Sequence, residues 1–166
     1  MTRSIPSLVA LCSVCAALSG CTDTVTRNLN EMQAKLKVLP PQCAIGDAAA
    51  APGSWIAAPQ AAPVPNVPAA MLFTFDAPIR THAFRVALNP SALHNLDKVE
   101  SRDAQGNWSI AWTGTQADAP AGCDVVQLAQ TFASGERDVA ALRVTLRTAG
   151  ASVTMNVADV SVLKAD

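Results

Sequence analysis

The apolar positions of this chain change period as the sequence proceeds. Leu8 to Leu18 form a charge-free run of eleven residues. That is well short of the roughly 20 residues an α-helix needs to cross a bilayer. From Thr22 to Lys37 the apolar residues thin to Val25, Leu29, Met32 and Leu36. Spaced four, three and four apart, they lie on one stripe of a helix. Asp23 stands in its first turn, Lys35 and Lys37 in its last, and Pro40-Pro41 ends it, in keeping with helix start and stop signals. At about four turns such a helix is marginal alone; packing on the domain, self-association and fraying are the alternatives, with a partly formed spacer the favoured expectation. Between Ala44 and Ala70 no period survives, and eleven Ala and five Pro fill 27 residues. That composition extends the chain and predicts linker or irregular wrapping, with Ser54-Trp55-Ile56 as an apolar exception.

From Met71 the period becomes two. Met71, Phe73 and Phe75 alternate with small or polar residues, Asp76-Ala77-Pro78 is expected to turn the chain, and Phe84, Val86 and Leu88 alternate again before Asn89-Pro90 interrupts. Val99–Arg102 leads into Asp103-Ala104-Gln105-Gly106, a hairpin signal, and Trp108, Ile110 and Trp112 form the returning strand, closed by Gly114. Val126, Leu128 and Phe132, then Leu142, Val144 and Leu146, then Val157 to Val162 supply further strands. Short strands at nearly even spacing with turn residues between them predict an all-β fold, an antiparallel β-sandwich or barrel, after a short helical, Pro/Ala-rich tether.

The opening run carries an address. Arg3 precedes a short apolar core that ends on small residues, as in a secretory signal. Its end, Leu18-Ser19-Gly20-Cys21, resembles the lipobox of bacterial lipoprotein signal peptides. The resemblance implies cleavage before Cys21, lipidation of Cys21 and anchoring of the protein to a lipid bilayer in the cell envelope. One acyl chain holds a protein only marginally; lipoproteins of this type carry two or three. Thr22 follows the cysteine and Asp23 comes one place later, an order that by the enterobacterial sorting rule favours the outer membrane over the inner.

Composition narrows the function classes. Removing residues 1–20 takes away Arg3 alone among the 12 Lys+Arg and 13 Asp+Glu, so the remainder is near neutral. No basic patch suited to nucleic acid results. Of the five cysteines, Cys12 and Cys15 leave with the signal, and Cys43 and Cys123 remain beside the lipidated Cys21. An even pair in an exported protein reads most simply as a disulfide.

Several pieces are similar to the galactose-binding-like, discoidin-type modules. "FTFDAPIRTHAFRVAL" (73–88) looks like their strand–Pro–strand element, and "LDKVESRDAQGNWSIAWTG" (96–114) resembles their hairpin, in which Asp, Gly and Trp precede an aromatic-x-Gly close. "VAALRVTLRT" (139–148) and "NVADVSVL" (156–163) look like their last two strands, and "SWIAAPQAAPVPN" (54–66) like a shortened opening segment. Ser101 stands where such modules usually carry a larger apolar residue, and Ala158 where many carry an acidic one. The resemblance implies a jelly-roll sandwich over 54–166, following a signal peptide at 1–20 and a lipidated tether at 21–53.

Candidate chemistry is sparse. Trp108 and Trp112 share strand parity and are expected in the core; the alternative is an aromatic platform for sugar rings. Trp55, in a loop-like segment, is the aromatic better placed for exposure and a candidate ligand contact, although docking onto the sandwich is the favoured expectation. Arg143 and Arg147, with Arg85 on another strand, are candidates for an outward basic stripe that meets a carboxylated glycan. His82 and His94 have no carboxylate or Cys at metal-ligand spacing, so no metal or other cofactor is expected. No nucleophile elbow, HExxH, P-loop or paired-carboxylate signature marks an enzyme. A binding module for a glycan or envelope polymer is the leading expectation, and an assembly lipoprotein that docks on another envelope protein is the alternative.

Overall fold

The computed structural model describes residues 16–114, 118–148 and 153–165, with side chains from residue 26 onward. The lipobox side chains, including that of Cys21, therefore lie outside the described residues, as does most of the apolar run before them. A helix, α1, spans Ala16–Leu36. No helix among the described residues is long and apolar enough to cross a membrane. A 3-10 turn at Pro41–Cys43 comes after it. The described residues then form nine strands: β1 (Ala44–Ile45), β2 (Trp55–Ala57), β3 (Gln60–Pro63), β4 (Ala70–Leu88), β5 (Leu96–Arg102), β6 (Trp108–Thr113), β7 (Val126–Thr131), β8 (Arg137–Leu146) and β9 (Val157–Lys164). A short helix, α2 (Pro90–His94), precedes β5. It is capped by Asn89, whose side-chain oxygen accepts the Ala92 N–H at 3.0 Å.

The strands form one curled, mixed sheet. All pairs are antiparallel except β1 with β7, which run parallel. Its curl comes from β4, nineteen residues long. The first half of β4 lies between β3 and β8, and the second half lies between β7 and β9. Asp76-Ala77-Pro78 does not turn the chain, as the sequence led us to expect. The strand runs through it with a register shift against β8 between Thr74 and Ile79. The three residues are exposed there, and a bulge is where a sheet tolerates the N–H that proline lacks.

The period-two alternation fills the core as expected. Phe73 and Phe75 from the first half of β4 meet Phe84, Val86 and Leu88 from the second, with Leu142 and Val144 of β8 and Val160 and Val162 of β9. Phe84 and Phe132 pack with their ring centroids 5.2 Å apart.

The stretch read as tether is largely docked. On the other face of the second half of β4, the small Ala83, Ala87 and Ala129 leave room for backbone to settle. Ala48, Ala51 and Trp55 pack on Ala83, Ala129 and Leu163, and Met32 and Leu36 of α1 pack with Ala87 and Val125. Asp47 fixes the segment by accepting the Thr131 backbone N–H at 2.8 Å and its hydroxyl at 2.6 Å. These bonds hold the Asp47 carboxyl below its ordinary pKa. Gly46 (φ 102°) is required beside them, because a Cβ there would collide with the Ala129 carbonyl. A disulfide joins Cys43 to Cys123, whose Cα atoms are 5.7 Å apart. The spacer reading of α1 is thus replaced by a helix whose second half rests on the sheet.

Candidate binding face

The β5–β6 hairpin organises the face that offers most to a ligand. Its loop is built on Asp103, whose carboxylate accepts the backbone N–H groups of Gln105 and Asn107 at 3.0 and 2.8 Å and the Asn107 side-chain amide at 3.0 Å. These donors lower the pKa of Asp103. Gly106 takes the positive φ, 91°, that completes the turn.

Beyond the loop the expected parity breaks. Val99 pairs with Trp112 but Glu100 pairs with Ile110, so Ala111 is the extra residue of a bulge. One inserted residue sends the residues after it to the other face. Trp112 and Ala111 pack against the core, whereas Trp108 is 37% and Ile110 63% exposed. The expectation that Trp108, Ile110 and Trp112 share a buried face is corrected. A sequence signal for this existed: Arg102 stands directly opposite Trp108 across the hairpin, and a charged partner marks a face away from the apolar core.

Around Trp108 the charges are ordered. The Arg102 and Arg143 guanidinium carbons lie 5.6 and 4.4 Å from its ring centroid, within cation–π range. Arg143 is held in place because its Nε donates to Glu100 Oε2 at 2.8 Å. Lys98 Nζ reaches the other carboxylate oxygen at 3.3 Å. Glu100 is only 8% exposed, and the donated hydrogen bonds from Arg143, then Lys98, outweigh its desolvation and lower its pKa.

A group whose folded pKa is depressed contributes stability that is present above its unfolded value and is lost as pH falls through the folded one. Wild-type protein is therefore expected to be more stable than Glu100→Gln at pH 7. The gap should close as pH drops below the ordinary glutamate value of 4.5. Urea midpoints of both proteins between pH 7 and pH 3 check this. A constant gap across that range would show that the carboxylate charge contributes nothing.

On the reverse side of the same hairpin, Arg137 donates to the hydroxyls of Ser101 and Ser109, both at 2.8 Å. With Asp103, Gln105, Asn107 and Asp138 they line a polar cavity of about 250 Å³. Ser101, small and polar in a strand otherwise apolar on this side, is what admits the guanidinium.

The other arginine candidates do not join this face. Arg85 lies under Trp55, 4.7 Å from the ring centroid. Its Nε is buried without a partner, and burial lowers its pKa despite the nearby Asp159 charge. Arg147 donates to the carbonyls of Gly114 at 2.9 Å and Leu96 at 3.3 Å and pairs with Asp97 at 3.4 Å, tying the ends of β5, β6 and β8. Trp55 is half-buried in β2 rather than loop-borne. The expected basic stripe of Arg85, Arg143 and Arg147 thus falls into three places, and Arg143 alone stands beside the exposed tryptophan. His94 Nδ1 lies 3.2 Å from Asp118, and no three His, Cys, Asp or Glu side chains gather at metal-binding distance among the described residues. No protein-family model and no curated protein matches the chain.

Proposed function

We propose that the chain is a lipoprotein of the cell envelope, anchored through acylated Cys21, whose sheet, antiparallel apart from the β1–β7 pair, is a jelly-roll sandwich of the galactose-binding-like class and binds a glycan or envelope polymer. The observation that carries the binding reading is Trp108, exposed and flanked by two guanidinium groups. An aromatic face stacks on a sugar ring, while Arg102 and Arg143 suit carboxylates on the same polymer. The loop polar groups, Asp103 and Asn107, lie at the same end of the hairpin.

The test is co-sedimentation of the purified lipoprotein with isolated peptidoglycan and with acidic polysaccharide gels. Retention by either, and its loss in Trp108→Ala, is expected. Equal retention of the variant would remove Trp108 from the interaction.

The second reading, docking on another envelope protein, is favoured by Ile110 at 63% exposure beside the tryptophan. It predicts that a photocrosslinker at position 110 captures a protein in intact cells and that added glycan does not compete.

For the anchor, Cys21→Ala is expected to abolish fatty-acid incorporation and to move any processed protein from the membrane pellet to the soluble fraction. A metabolic fatty-acid probe that still marks the Cys21→Ala protein would refute lipidation at that residue.

A further inference from the structure

A groove of about 790 Å³ runs beside α1, between Leu29, the loop from Pro63 to Met71 and the segment Val153–Val157. None of the residues that line it is charged, and Asn66 and Asn156 are the polar ones. Val67 and Val153 at its lip are 41% and 40% exposed. The volume falls within the roughly 300–1,000 Å³ of small-molecule sites.

Its wall is also strained. Asn66 (φ 59°) and Ala69 (φ 55°) both adopt left-handed backbone, a conformation that an alanine side chain disfavours. The strain is held by flanking hydrogen bonds, from Val64 N–H to the Ala70 carbonyl and from Leu146 N–H to the Ala69 carbonyl, both 2.9 Å. Strain of this kind persists where the surroundings over-determine it, and it gathers at ligand clamps.

Position narrows the occupant. Cys21 precedes Leu29 by eight residues along α1, about 12 Å at 1.5 Å per residue. A lipidated Cys21 therefore brings the groove to the bilayer surface; this step rests on the anchor reading. We propose that the groove takes one aliphatic chain of a phospholipid from the membrane that anchors the protein. Filling it removes aliphatic side chains from water, while the lipid chain exchanges one apolar medium for another.

The experiment uses the full lipoprotein, purified from its membrane and reconstituted into phosphatidylcholine vesicles in which a fraction of the lipid carries a diazirine midway along one acyl chain. After illumination and digestion, label is expected on peptides containing residues 63–71 and 153–157. Val67→Asp combined with Val153→Asp, both at exposed positions, should cut that label at least fivefold. Val153→Trp, which narrows the mouth without adding charge, should do the same should the double variant melt early. Absence of label there, or label indifferent to these substitutions, overturns the proposal. Labelling by a free diazirine fatty acid but not by the phospholipid probe overturns the membrane-lipid source. The mass of the Cys21 peptide is read in the same digest. An acylated Cys21 with an unlabelled groove sinks the groove alone, and an unmodified Cys21 with a labelled groove sinks the anchor alone.

Discussion

Replacing Cys43 and Cys123 together by serine is expected to destabilise the domain by about 4 kcal/mol, among the largest effects available to substitutions in this chain. The bond closes a loop across a sequence separation of 80, and in the chain-entropy view a loop of that order restricts the unfolded ensemble by roughly 4 to 5 kcal/mol. Both cysteines are buried, at 1% and 7% exposure, so serine hydroxyls there add a desolvation cost. For a domain of this size each kcal/mol moves the melting temperature by about 2 to 4 °C, which predicts a drop of about 8 to 16 °C. The loss should be local before it is global. The bridge pins the turn after α1 to the loop before β7, and the Met32 contact with Ala87 and Val125 depends on that placement. The nearby Lys35–Asp124 pair, 2.6 Å apart but 52% and 76% exposed, is too well solvated to replace it. Amide exchange in the second half of α1 should therefore accelerate in the variant under conditions where β4 remains protected. Equal melting temperatures for oxidised wild type and the double variant would show that the bond restricts nothing that matters to folding.

The parts of the fold legible in the sequence are those where a side chain's own neighbours in the chain report its surroundings. Phe73 and Phe75, Phe84 to Leu88, and Leu142 to Leu146 alternate because one face of each strand is core and the residues between are not. The docking of residues 44–57 left little such trace beyond the apolar Ser54-Trp55-Ile56. Its main signal lies on the partner, in the small Ala83 and Ala129 that let the segment approach, and contact between positions so far apart has no local period. The same limit governs the arginines. Alternation assigned Arg85, Arg143 and Arg147 to similar faces, yet parity says nothing about what else lands there: Trp55 over Arg85, Glu100 and Trp108 beside Arg143, and backbone carbonyls around Arg147. The bulge at Ala111 is different in kind, because its signal was local. Counting outward from the Asp103–Asn107 loop sets Arg102 against Trp108, and that pairing outranks the apolar alternation of β6 read alone.

That pairing decides between the two tryptophans, and the expected result is a crossed one. Trp108→Ala should destabilise by about 1 kcal/mol, since what it removes is a ring that is 37% exposed and two cation–π contacts, one of them to Arg143 at 25% exposure. Its effect should fall on binding: a tryptophan at the centre of a recognition face typically costs about 2 kcal/mol or more when truncated, roughly a thirtyfold loss of affinity. Trp55→Ala should behave in the opposite way. It strips the cover from Arg85, whose Nε has no partner, and leaves a gap beside Leu163. A cost of about 2 kcal/mol is expected, below the roughly 3 to 5 of a fully buried tryptophan, with the affinity of the folded fraction unchanged. Thermal melts and polysaccharide retention on the same two preparations separate the roles. A Trp108→Ala protein that melts far below wild type would return that residue to the core and move the binding face elsewhere. A Trp55→Ala protein that keeps its stability but loses retention would assign recognition to the surface around β2, where Arg85 rather than Arg143 would meet the ligand.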